Sequence, residues 1–241
     1  LVYLYDDDAQ EAGENYSRLG QRLNTWLSSQ TSAGILFETD LRLRPNGDSG
    51  LLAVSVDSFR DYQLKNAWVW EHQALTRARF CAGDPAVGAH FEKIRCEILC
   101  QQRDLTTLRD EVVAMRQKMV DAHASNSATE FDLKHDQGGI VDVEFIVQYL
   151  VLGYASQHPS LTGNLGNIAL LRMAAELGLI EPQQAEAAGN AYREYRRLQH
   201  AKRLSATPKA RVPREEIEKH IAAVNTLWQA VFGTASAAAR P

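Results

Sequence analysis

No apolar run in this 241-residue sequence approaches the ~20 residues that a membrane-spanning helix requires. Nothing in it resembles a signal peptide. A basic surplus is also missing: 26 Lys and Arg stand against 30 Asp and Glu, for a net charge of −4 and a pI near 6.0. That balance argues against a general nucleic-acid binder, which normally carries a positive excess. Cysteine is scarce, and Cys81, Cys96 and Cys100 are odd in number and lack the spacing of a disulfide framework. Cys96 and Cys100 have helical spacing, yet no second ligand pair stands at zinc spacing, so buried thiols are the plainer reading. Internal repeats are absent. With neither leader nor span, the cytoplasm is the expected compartment.

What is present is an ordinary globular composition, 45% hydrophobic and 23% charged, enough for a sizeable core in one domain or two. The most patterned stretch is Gly34-Ile35-Leu36-Phe37-Glu38-Thr39-Asp40-Leu41-Arg42-Leu43-Arg44-Pro45-Asn46-Gly47. Phe37, Thr39, Leu41 and Leu43 alternate with Glu38, Asp40, Arg42 and Arg44. A period of two predicts one half-buried strand, ended by the Pro-Asn-Gly turn. Its polar face has the groups to hold a metal ion and a polyphosphate; a solvated face with cross-strand ion pairs is the plainer alternative.

Around it, residues 1–5 and 51–56 read as further strands, and the acids Asp6, Asp7 and Asp8 as a solvated loop. The spacing of Tyr16, Leu19, Leu23, Trp26 and Leu27 predicts an amphipathic helix over 12–29, with a polar link over 28–34. Asp57 or Ser58 is the expected cap of a short helix. Residues 66–80 read as a helix with an aromatic start and an arginine-bearing end at Arg77 and Arg79. Asp84-Pro85 and Asp104 are helix starts. After Asp104, Leu105, Leu108, Val112, Met115 and Met119 form a short seam suited to a bundle.

Residues 121–129 are small and polar, a mobile loop. Phe131-Asp132-Leu133-Lys134-His135-Asp136-Gln137-Gly138-Gly139 then leads into a helix over 140–152 that is apolar nearly all round, hence deeply buried. Asp142 and Glu144 interrupt its first turns. A buried carboxylate needs a partner, and arginine, lysine or a metal are the candidates. Further helices are expected over 164–177, from Glu181-Pro182 toward His200, and over 214–232. Pro208 and Pro213 bracket an expected linker, and residues 233–241 an expected disordered tail.

Three of these runs carry a resemblance. Ser32-Ala33-Gly34-Ile35-Leu36-Phe37-Glu38-Thr39-Asp40-Leu41-Arg42-Leu43-Arg44-Pro45, Trp70-Glu71-His72-Gln73-Ala74-Leu75-Thr76-Arg77-Ala78-Arg79 and Gly138-Gly139-Ile140-Val141-Asp142-Val143-Glu144-Phe145 resemble, in order and spacing, the bacterial glutamine synthetase adenylyltransferase family. The likeness extends over about residues 1–205 and is greater to the C-terminal, adenylylating half of that bifunctional enzyme. It implies an α+β, mostly helical fold: part of a nucleotidyltransferase domain of the DNA polymerase β type over residues 1–100, then a helical bundle over 101–232. It also implies transfer of AMP from ATP, with magnesium, to a tyrosine of glutamine synthetase, within nitrogen regulation, and a PII-type signalling protein as a partner of the parent.

By that resemblance Asp40 is the third metal carboxylate. Arg42, Arg44, Arg77 and Arg79 are candidate phosphate contacts, and Lys134, Asp142 and Glu144 orient them or border the nucleotide. The family's Gly-Ser turn and Asp-x-Asp pair precede the segment matching residues 1–6, so the chain is expected to be an N-terminally cut piece with little turnover of its own. A second function class remains: a non-catalytic helical module docking glutamine synthetase or a regulatory partner, motivated by the basic run Arg193, Arg196, Arg197, His200, Lys202 and Arg203.

Overall fold

The computed structural model describes residues 1–233 except Asn126, Ala206, Pro208 and the side chain of Asp48; the expected tail beyond Gly233 and the first linker proline lie outside the described residues. The chain is mostly helical and forms two compact units, residues 1–99 and 100–241.

In the first unit β1 (Tyr3–Tyr5) leads to α1 (Ala12–Ser28), a small hairpin of β2 (Gln30–Thr31) and β3 (Gly34–Ile35), and then β4 (Ala53–Ser55). β1 and β4 pair in parallel, Tyr3 opposite Ala53 and Tyr5 opposite Ser55, as a crossover through an intervening helix allows. α1 covers this pair: Tyr16 stacks on Tyr5 with centroids 4.9 Å apart, and a Cβ on Gly20 would meet Tyr3 at 3.2 Å. Three helices follow, α2 (Val56–Lys65), α3 (Val69–Leu75) and α4 (Pro85–Leu99). α2 packs on β1, β4 and α4, burying Val56 and Phe59.

Several expectations fail here for local reasons. The strand expected over 34–47 exists only at Gly34–Ile35; Leu36 is 66% exposed and Phe37 58%, so no half-buried face forms. A strand needs a ladder, and these backbone groups are spent elsewhere. Phe37 donates to the Leu27 carbonyl (2.8 Å), Arg42 N–H to the Asp40 carboxylate (2.9 Å), and Gly47 to the Arg44 carbonyl (2.8 Å). The Pro-Asn-Gly turn is present, with Asn46 at φ 61° and Gly47 at φ 53°. A Cβ on Gly50 would come 2.0 Å from the Pro45 carbonyl oxygen, so only glycine closes this loop.

The expected polar link over 28–34 contains the β2–β3 hairpin. The cap of α2 is Ser55, which accepts from Ser58 N–H (3.2 Å), rather than Asp57 or Ser58. The helix expected over 66–80 shrinks to α3. Its end tightens into i→i−3 bonds, Arg77 to the Ala74 carbonyl and Ala78 to Leu75, leaving Arg77 and Arg79 beyond it.

The second unit comprises α5 (Leu105–His123), β5 (Glu130–Asp132), α6 (Ile140–Tyr154), α7 (Asn167–Glu176), α8 (Pro182–Leu204), β6 (Arg211–Pro213) and α9 (Arg214–Phe232). α6 is its axis, packing against α5, α7, α8 and α9. Its Val143, Ile146 and Leu152 are fully buried, each such side chain stabilising by roughly 1.5–3 kcal/mol. Asp104 caps α5 by accepting from Thr107 N–H (2.7 Å), and Pro182 opens α8.

Two readings change. The α5 seam buries Leu108, Val112 and then Arg116, while Met115 and Met119 stay half-buried. The expected linker holds β6, which pairs antiparallel with β5, Phe131 opposite Val212. In the expected loop over 121–129, α5 continues to His123, and Asn126 lies outside the described residues.

Candidate functional site

The residues singled out by sequence divide between the units. Asp40 sits on the loop after β3 and makes a fork with Arg42: Nε lies 3.1 and 3.2 Å from its two oxygens, and Nη2 lies 2.7 Å from Oδ2. Side-chain bonds from Arg42, then its backbone N–H, hold the Asp40 carboxyl at about 2, well below the usual range. The pair is open to water, with the Asp40 side chain 54% exposed. Arg44 serves the loop itself, donating through Nη1 to the Leu41 carbonyl (2.7 Å). Arg77 and Arg79 are exposed after α3. Glu38 is exposed on the same loop as Asp40.

In the second unit the segment between β5 and α6 is densely hydrogen-bonded. The buried Arg116 on α5 donates Nε to Oδ1 of Asp142, and Nη2 to the carbonyls of His135 (2.9 Å) and Asp136 (3.3 Å). Gly138 N–H donates to the other Asp142 oxygen, and the Tyr195 hydroxyl donates to the Gly138 carbonyl (2.9 Å). Burial pushes the Asp142 carboxyl up, while Arg116 and Gly138 pull it back. Gly138 adopts φ 88°, and a Cβ there would meet Ile221 at 2.9 Å.

Two further acids shape the same loop. Asp136 accepts from Ser125 Oγ (2.8 Å) and Asp132 N–H (2.9 Å), and Asp132 accepts from the backbone N–H of Lys134 and His135, both at 3.0 Å. His135 lies 5.2 Å from His123, centroid to centroid, and burial lowers its pKa. Lys134 itself is exposed.

This arrangement removes one reading of the glycine pair. The amides around the start of α6 are already committed: Gly138 to Asp142, Gly139 to the Asp136 carbonyl (3.0 Å) and Ile140 to the Leu133 carbonyl (2.9 Å). A phosphate would have to displace them. Asp142 and Glu144 face different neighbours, as residues two apart on a helix must. Glu144 accepts from the Tyr192 hydroxyl (3.3 Å), which in turn accepts from Asn167 (3.0 Å).

Sequence reasoning missed Arg116, Asp132, Asp136 and Tyr195. The available signal was the four-residue spacing of Leu108, Val112 and Arg116, which puts a guanidinium on an apolar stripe. Among the described residues no three His, Cys, Asp or Glu side chains come together as a metal site. Magnesium favours octahedral oxygen ligands, and both Asp40 oxygens are engaged by Arg42, so that fork would have to open for Asp40 to serve such an ion. No helix among them is long and apolar enough to cross a membrane.

Comparison with known proteins gives the geometry a setting. Residues 1–94 match the family model described as glutamate-ammonia ligase adenylyltransferase, and residues 107–230 match that of GlnD PII-uridylyltransferase. A protein of Aromatoleum aromaticum is 63% identical over 98% of the chain, which covers 25% of that relative. Relatives in Nitrosomonas europaea and Bordetella bronchiseptica are 55% and 56% identical over 97% and 96% of the chain, covering 27% and 24% of their lengths. All three are called bifunctional glutamine synthetase adenylyltransferase/adenylyl-removing enzyme. The chain thus spans about a quarter of the length of the curated relatives it matches. Over nearly its whole extent the chain is thus similar to one stretch of these bifunctional adenylyltransferases, and its second unit carries the domain that the PII-uridylyltransferase model describes.

Proposed function

We propose that the full-length polypeptide containing this chain transfers AMP from ATP to a tyrosine of glutamine synthetase, in the cytoplasm, as a control on nitrogen assimilation. The observation that carries this reading is 63% identity, over 98% of the chain, to a protein named for that activity. In this account residues 1–100 are part of a nucleotidyltransferase domain of the DNA polymerase β type and residues 101–232 a helical bundle. The bundle's likeness to the PII-uridylyltransferase domain supports a PII-type protein as a regulatory partner.

Asp40 is proposed as one carboxylate toward magnesium-bound ATP, which requires Arg42 to release it and turn to phosphate. Arg44, Arg77 and Arg79 are proposed phosphate contacts, Arg44 after leaving the Leu41 carbonyl. Lys134 is a proposed contact for an anionic group. Asp142 and Glu144 are proposed to act indirectly, by fixing α6 and the loop before it. With Asp40 held by Arg42 and no cluster of three metal-ligating side chains among the described residues, the 241-residue chain alone is expected to turn over little.

The test is incorporation of label from α-labelled ATP into purified glutamine synthetase by the full-length polypeptide. Magnesium-dependent labelling on tyrosine is the expected result. Its absence, with glutamine synthetase competent for a known adenylyltransferase, would remove the proposal.

A further inference from the structure

Between β5 and α6, Lys134 has both of its backbone polar groups engaged. Its N–H donates to Oδ1 of Asp132 (3.0 Å), and its carbonyl accepts from Val141 N–H in the first turn of α6 (3.3 Å). The neighbours are tied as well, Leu133 N–H to the Ala210 carbonyl (3.0 Å) and His135 N–H to the same Asp132 oxygen (3.0 Å). Asp136 closes the frame through Oδ2, which accepts from Asp132 N–H (2.9 Å) and from the Ser125 hydroxyl (2.8 Å). The side chain carried by this fixed backbone is exposed, and its ammonium makes no ion pair among the described residues.

Asp132 and Asp136 are both buried, and neither pairs with a lysine or arginine among the described residues. Buried carboxylates without a cation are costly, and these two serve main-chain amides instead. The cation that their frame presents to water is Lys134; Arg116, which also touches the frame, is buried. A lysine ammonium binds phosphate oxygens as a point charge, and one on a fixed backbone loses less freedom when it does so. At Asp132 one oxygen suffices: Oδ1 takes both amides, and Oδ2 makes no hydrogen bond among the described residues. That is an Asx turn, which the side-chain carbonyl of asparagine also makes.

We propose that Asp132, backed by Asp136, is a positioning residue that fixes Lys134 as a contact for the polyphosphate of ATP, and that it acts through its side-chain oxygen rather than its charge. This rests on the adenylyl-transfer reading above, which supplies ATP as the anionic ligand. Neither acid touches the nucleotide in this account. A contact displaced by about 1 Å can cost on the order of a hundredfold in rate, so a residue remote from the ligand can still govern one that meets it.

The experiment uses the full-length polypeptide and reads kcat/KM for magnesium-bound ATP at saturating glutamine synthetase. Lys134→Met and Asp132→Ala should each lower it at least about tenfold, and Asp132→Asn should recover most of the Asp132→Ala loss. In the Lys134→Met background, Asp132→Ala should change it by less than about twofold, because the residue through which Asp132 acts is gone. The KM for glutamine synthetase should stay within about twofold throughout. An equal Asp132→Ala loss with and without Lys134 makes Asp132 a purely structural residue and overturns the proposal. So does an Asp132→Asn loss as large as that of Asp132→Ala, or an effect confined to the KM for glutamine synthetase. Lys134→Met at the wild-type value also overturns it and leaves adenylyl transfer standing. A wild-type polypeptide that never labels glutamine synthetase removes both.

Amide hydrogen exchange of the wild-type full-length polypeptide, read by mass spectrometry with fragmentation to single residues, tests the frame without a variant. The Lys134 and His135 amides should exchange at least about a hundredfold more slowly than in an unstructured chain. Exchange at the unstructured rate means that Asp132 does not hold them, and overturns the proposal even where Asp132→Ala fails to fold.

Discussion

Arg116 on α5 donates to Asp142 on α6, and the same guanidinium holds the carbonyls of His135 and Asp136. One buried cation thus ties two helices to the loop that precedes the second. Removing it takes the cation from the buried Asp142 carboxylate, which keeps only the Gly138 amide, and takes a donor from the His135 carbonyl. Arg116→Met should therefore cost about 3–5 kcal/mol of the second unit's stability in urea unfolding. Arg116→Met/Asp142→Leu should recover much of that loss, since apolar groups replace both partners. A single-variant cost below about 1 kcal/mol would show the pair to be structurally idle.

Gly138 and Tyr195 make a second, separable prediction. Gly138→Ala places a Cβ at φ 88° within 2.9 Å of Ile221, a position strained in both backbone and packing. Destabilisation of more than about 1 kcal/mol is expected by thermal unfolding. Tyr195→Phe keeps the buried ring and removes the hydroxyl that serves the Gly138 carbonyl. Its expected cost is about 1–3 kcal/mol, that of a buried acceptor left unserved.

The Asp40–Arg42 fork predicts a titration. The Asp40 carboxyl, held at about 2 by Arg42, is depressed from its ordinary 3.8. A depressed carboxylate contributes stability that is present above pH about 3.8 and lost as pH falls toward about 2. The side chain is 54% exposed, so salt screens much of this contribution. Side-chain carboxyl NMR should find the low pKa in the 241-residue chain, and Arg42→Ala should return it to the ordinary range. An unchanged low value in Arg42→Ala would assign the shift to another cause.

How much of this was legible beforehand depended on how local each cause is. Helices announced by a cap and a stripe were readable: Asp104 and Pro182 mark the starts of α5 and α8, and the apolar run over 140–152 reads as a buried helix that the structure extends to Tyr154. The alternation over 34–47 was misleading because a strand exists only if a neighbour accepts its ladder, and this loop bonds to itself and to the end of α1. β6 was invisible for the complementary reason, since its partner β5 lies about eighty residues earlier in the chain. Asp142 could be seen to need a partner, but arginine, lysine and metal were equal candidates until the chain folded Arg116 against it. Asp40 and Arg42 were visible as residue types, while their mutual fork depends on a loop conformation that periodicity does not encode.

The central claim, that this chain supplies Asp40 to an adenylyl-transfer site, is tested most directly by Asp40→Asn in the full-length polypeptide. The rate of magnesium-dependent AMP incorporation into glutamine synthetase should fall by on the order of a hundredfold or more, with the protein still folded and still binding its acceptor. Labelling at the wild-type rate would contradict the account.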